Sequence, residues 1–173
     1  MTNKKIKKVT KKAPKKTAKK KVNKKTAPKV EKKTLTVNPY FTFNGNCEEA
    51  FNFYKSVFDG KFKQIMRFKD MPMPGHELPE NLKEKIMHMS LPISKETIIM
   101  GSDANPMMGA VNIGQHLSLS VNAESKNQAD KIFKSLSSGG QVTMPIGVAP
   151  WGSYFGMLTD KFGFIWMVSH DQA

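Results

Sequence analysis

The residues of this 173-residue chain that could do chemistry are few, and their spacing limits what they could do. His88 stands between Met87 and Met89 in an apolar run. An imidazole there is either a hydrogen-bonded structural group or a pocket residue able to exchange a proton near neutral pH. His116 and Ser118 share one face of an alternating segment, but no acid is in view to orient the imidazole, so they do not make a nucleophile–base pair. Asp103 follows an apolar run, placed to orient a ligand or His88, or else to act as a turn residue before Asn105-Pro106. Trp151-Gly152 and Phe155-Gly156 each set a large apolar ring beside bare backbone, which suits a pocket wall and equally a packed core. Trp166 and Met167 divide the same way. Met71, Met73 and His76 share a proline-rich loop without the spacing of a defined metal site; adaptable gap-filling or a pliable lid fits a chain with 12 methionines better. G-x-S-x-G, Walker and H-E-x-x-H motifs are absent. Cys47 is the single cysteine, so no internal disulfide can form, and its place on an apolar helix face reads as a small buried hydrophobe.

The elements that must position these residues are written twice. Residues 39–44 alternate as a strand. Asn46 opens a helix, with Glu49 completing a capping box and Asp59-Gly60 supplying a left-handed stop. Strands follow at 61–69, 85–91 and 97–101, with a loop at 70–83, and 103–114 joins the copies. The second copy opens at 115–121, with Leu117, Leu119 and Val121 facing one way and His116, Ser118 and Ser120 the other. Ser125 and Gln128 form a second capping box, Gly139-Gly140 stops that helix, and strands lie at 141–145, 153–159 and 164–169. Ala50, Tyr54 and Gly60 recur 79 residues on as Ala129, Phe133 and Gly139. The fold class is therefore α+β: paired βαβββ modules forming a cupped mixed sheet over residues 37–171, the first module at 37–103 and the second at 115–170. A helix covers one face of each sheet; the second module, a partner chain or a ligand must cover the other.

NPYFTFNGNCEEAFNFY (38–54), IMHMSL (86–91), GSDA (101–104) and VTMPIGVAPWGSYFGMLTDKFGFIWMVS (142–169) resemble the PhnB-like branch of the glyoxalase / bleomycin-resistance / vicinal-oxygen-chelate superfamily. The resemblance covers residues 38–169 and implies paired βαβββ modules, usually as a homodimer. Metalloenzymes of that superfamily hold a divalent ion with His and Glu on the first and last strands of each copy. Here the resemblance sets Tyr40, Met100 or Ser102, His116 and Met167 at those positions, with only His116 well matched. One imidazole with a thioether and a phenol suits a hard or borderline divalent ion poorly. No metal and no other cofactor is expected. The branch often carries a label derived from a ubiquinone methyltransferase, but no strand-then-glycine-loop for a methyl-donor nucleotide is present. The expected function is binding of a small organic molecule in a metal-free cup, with Tyr40, His88, Asp103, His116, Trp151, Phe155 and Met167 as pocket candidates and catalysis open. The alternative within the superfamily is a divalent-metal lyase or dioxygenase.

Charge divides the chain sharply. Residues 1–34 hold 16 lysines against Glu31, a net +15 in a chain of +14, which leaves the remainder at −1. The lysine-rich segment 1–36 has no aromatic residue and too few aliphatics to offset about 1–2 kcal/mol of chain entropy per residue, so disorder is expected. Lys11, Lys12, Lys15, Lys16, Lys19, Lys20, Lys21, Lys24 and Lys25 could neutralise phosphates in a salt-sensitive, sequence-blind way. This gives a second function class: a nucleic-acid-associated protein that binds through its tail and dimerises through its domain. No apolar run follows the charges as in a secretory signal, and none approaches the roughly 20 residues of a membrane span. The expected location is cytoplasmic, with nucleoid or nuclear association through the tail.

Overall fold

A computed structural model of the chain describes residues 1–2, 36–71, 77–105, 109–112, 114 and 116–171. The chain divides into Met1–Leu35 and Thr36–Ala173. Apart from Met1 and Thr2, the first unit lies outside the described residues, and with it the expected disorder and the lysines named above; Met73 and His76 lie outside them too.

The second unit runs β1 (Tyr40–Phe43), α1 (Cys47–Phe58), β2 (Gln64–Arg67), a 3-10 turn (Phe68–Asp70), the one-turn α2 (Glu80–Lys83), β3 (Ile86–Pro92) and β4 (Ile98–Asp103), then β5 (Ser118–Asn122), α3 (Lys126–Leu136), β6 (Gln141–Val148), β7 (Tyr154–Thr159) and β8 (Ile165–His170). Two four-stranded mixed sheets result, ordered β1-β4-β3-β2 and β5-β8-β7-β6. The first strand of each is parallel to the last, and the other pairs are antiparallel. This is the paired βαβββ arrangement expected from the repeat. The joint between modules differs in detail: β4 extends to Asp103, and β5 begins only at Ser118, so His116 and an exposed Leu117 precede the strand.

Each helix lays one apolar stripe on its own sheet: Cys47, Ala50, Phe51 and Tyr54 from α1, and Ala129, Ile132, Phe133 and Leu136 from α3. The helices approach so closely that backbone must be bare beneath a ring. A Cβ at Gly101 would lie 2.7 Å from Phe51, and one at Gly156 would lie 2.7 Å from Phe133. Gly156 therefore admits α3, not a ligand. The caps also differ from expectation. Asn46 makes no side-chain cap; the Cys47 N–H donates instead to Asp103 Oδ1 at 2.9 Å, across 56 residues of chain. Asp59, with φ 50°, is the left-handed residue that ends α1. At α3 the expected cap is present: Gln128 N–H donates to Ser125 Oγ at 3.2 Å, and Gln128 Oε1 accepts from the Glu124 N–H.

One buried carboxylate joins the modules. Asp160, in the β7–β8 turn, is 4% exposed. Its Oδ2 accepts from the Tyr54 hydroxyl of α1 and from the Trp166 indole N–H of β8, both at 2.8 Å. Its Oδ1 accepts from the backbone N–H groups of Phe162 and Phe164 at 2.9 and 3.0 Å. Around it, Phe41 meets Phe164 with centroids 4.6 Å apart, and Phe43 meets Phe162 and Phe164.

Replacing Asp160 by Ala strands the Tyr54 and Trp166 donors at about 1–3 kcal/mol each. Denaturant unfolding should show a loss of about 3 kcal/mol or more. Burial, and then the adjacent Asp160, push the Tyr54 hydroxyl pKa above its ordinary value. The native state thus holds this proton more tightly than the unfolded chain. The resulting stability is intact below about pH 10 and declines above it by up to about 1.4 kcal/mol per pH unit. Tyr54→Phe should remove that alkaline slope. The comparison belongs in a Cys47→Ala background, because burial raises that thiol as well. An identical alkaline limb with and without the Tyr54 hydroxyl would contradict this assignment.

Candidate functional site

Residues on the sheets alternate between the helix side and an open side. In β1, Phe41 and Phe43 are buried against the helices, which leaves Tyr40 and Thr42 on the other face. Tyr40 pairs with Met100, and Met100 in turn with Ser90; Thr42 pairs with Ser102. The Tyr40 ring reaches across this face to His88 on β3, with centroids 5.8 Å apart and the hydroxyl 3.4 Å from Nδ1. Tyr40 and His88, 48 residues apart in the chain, are thus brought together.

Tyr40 also lines a cleft of about 280 Å³ where β1 approaches the lead into β5. Its other walls include Thr42, Asn112, His116, Leu119 and Phe164. His116 is exposed and folds back over Gly114. The segment before it is held by Asn44, whose side-chain amide donates to the Val111 carbonyl and accepts from the Val111 N–H, both at 2.9 Å. The cleft has apolar walls with a phenol, an imidazole, a hydroxyl and an amide at its rim. That composition suits a small organic molecule carrying a few polar groups. A second hollow of about 340 Å³ lies at the start of α1. Its charges are already engaged: Arg67 forks onto Glu48 at 2.8 and 3.0 Å, and Lys85 Nζ donates to the Gly45 carbonyl. The bond to Glu48 raises the Arg67 pKa above its ordinary value.

The remaining candidates fall elsewhere. Asp103 is 4% exposed on the helix side, where its two oxygens accept from the Cys47 and Ile86 N–H groups at 2.9 Å. It is a structural cap and does not touch His88. Trp151 and Phe155 meet edge to face, 5.5 Å between centroids, at the β6–β7 turn, and neither lines the cleft. Trp151 is 61% exposed. Met167 lies on the open face of the second sheet, paired with Ser120 and Met157, whereas Trp166 is core. Asn44, Thr42 and Asn112 escaped the sequence reading; the Asn44-Gly45-Asn46 turn was the one available signal for the first of them.

The positions that the resemblance sets against divalent-ion ligands are Tyr40, Met100 or Ser102, His116 and Met167. Among the described residues no three of His, Cys, Asp and Glu cluster to hold an ion. A phenol, a thioether and one exposed imidazole do not fit a hard or borderline divalent ion.

The family model described as 3-demethylubiquinone-9 3-methyltransferase matches residues 35–169. Protein PA1353 from Pseudomonas aeruginosa is 38% identical, with TM-score 0.71, covering 81% of this chain and 100% of that one. A PhnB protein from Bacillus cereus is 28% identical, with TM-score 0.63, covering 79% and 100%. Protein YjdN of Escherichia coli K12 is 28% identical over 142 residues, 78% of this chain and 95% of the relative. The architecture is that of glyoxalase/bleomycin-resistance proteins.

Asp103→Ala should cost about 2–4 kcal/mol, since two buried N–H groups lose their acceptor. The His88 imidazole resonances of the folded variant should stay in place by NMR. Displaced His88 resonances would show that Asp103 orients the ring after all.

Proposed function

The chain belongs to the PhnB-like family that the 3-demethylubiquinone-9 3-methyltransferase model describes, and on that premise we propose that it binds a small organic molecule without a divalent metal. The observation that carries this reading is the convergence of Tyr40 and His116 on one apolar cleft, with His88 in reach of the Tyr40 hydroxyl. The phenol and the imidazoles would orient a polar group of the ligand, while Leu119 and Phe164 take its apolar body. Trp151, Phe155 and Met167 would belong to the wall only where a second copy completes the cup. The exposed Val148 and Trp151 at the β6–β7 turn support a homodimer contact there.

Native mass spectrometry of the full chain, purified gently at low salt, tests the reading. The expected result is a dimer with one small organic adduct per subunit. The adduct should survive EDTA and should be lost, or weakened at least tenfold, in Tyr40→Ala and His116→Ala. Adduct retained by both variants would place the pocket elsewhere, and adduct released by EDTA would make divalent-metal chemistry the better account.

A second reading rests on the lysine tail: 16 lysines in residues 1–34 beside a domain of charge −1. Deleting residues 1–34 should abolish binding to duplex DNA and its salt dependence. Binding that persists in the shortened chain would remove the tail from consideration.

A further inference from the structure

The open face of the second sheet carries a row of thioethers. Met144 of β6 pairs in register with Met157 of β7, and Met157 pairs with Met167 of β8. Met157 and Met167 alternate with the buried Leu158, Trp166 and Val168, so they lie on the face turned away from α3. Register shifts on both sides of Met144 interrupt β6, and at such a bulge a strand can re-aim one side chain. Register partners on adjacent strands share a face at about 4.8 Å spacing. Three long, flexible thioethers at that spacing can turn their sulfurs to one point. All three are partly exposed, Met144 at 38% and the other two less, so an ion can reach them. Phe155, two residues before Met157 on the same face, packs against Trp151.

We infer that Met144, Met157 and Met167 bind one soft monovalent cation, Cu(I) or its redox-silent analogue Ag(I). Thioether sulfur selects such ions and binds Zn(II), Mg(II) or Mn(II) weakly. No oxidation or reduction is involved; the ion exchanges a weak solvent ligand for three sulfurs. The site lies on a different sheet from Tyr40 and His88 and shares with the proposed cup only Met167, so loss of the organic adduct in Tyr40→Ala and His116→Ala and loss of the ion in Met144→Leu and Met157→Leu are separate outcomes.

The test uses the full chain labelled with 13C in its methionine methyl groups and titrated with silver nitrate. Three of the 12 methyl signals should shift and saturate at one ion per subunit. Zinc chloride should move none of them. Cu(I), supplied anaerobically as its acetonitrile complex against bicinchoninate, should bind at one per subunit. Near-isosteric Met144→Leu, Met157→Leu and Met167→Leu should each weaken it at least tenfold, while Met100→Leu on the first sheet should not. Methyl shifts spread over most methionines, no saturation at one ion, or Cu(I) affinity unchanged in the three variants would overturn the assignment. The methyl titration needs no variant, so it decides even if a substitution unfolds the sheet.

Discussion

Asp160 is a buried carboxylate with every oxygen engaged, and it draws its donors from both halves of the molecule. A charge this deep is stable only when fully hydrogen-bonded. Here the Tyr54 hydroxyl comes from the first module, and the Trp166 indole and two backbone amides come from the second. Hydrogen bonds are directional where apolar packing is not. The packing of Phe41 and Phe43 against Phe162 and Phe164 supplies much of the apolar burial between the modules, and Asp160 fixes how the two halves register.

That registration makes the cleft. Phe41 and Phe164, whose rings meet at a tilt of 34°, are also two of its walls, and Tyr40 projects beside Phe41 on the opposite side of β1. Asn44 then ties the following chain back through Val111, which carries His116 to the rim. Sheet, turn and joint thus each deliver one polar group to a mostly apolar hollow. The nearby charged hollow at the start of α1 is set up differently: its guanidinium and carboxylates neutralise one another, leaving less to offer a ligand.

The repeat was legible because helix stripes and strand alternation are local. Ala50 and Ala129, or Phe41 beside Tyr40, report their faces through periods of 3.6 and 2. The cap on α1 was not legible, because Asp103 lies 56 residues from the N–H it accepts and a nearer Asn46-Glu49 pair mimics a capping box. Asp160 was hidden for the same reason, its Tyr54 partner being 106 residues away. At the site, the sequence pointed to Tyr40, His88 and His116, of which Tyr40 touches His88 and lines the cleft with His116. It also grouped Trp151 and Phe155 with them, although those two lie at the far β6–β7 turn. Residue type identified aromatic walls, but only the strand order says which walls face one another. The methionine row needed register, since Met144, Met157 and Met167 have no regular spacing along the chain.

On the proposed reading, the cleft between β1 and the lead into β5 holds an organic molecule by hydrogen bonds and apolar contact. A crystal structure of the gently purified full chain should show density for a small organic molecule against Tyr40, His116 and Phe164. A divalent ion coordinated by His116, or a cleft holding only water while the adduct sits elsewhere, would contradict it.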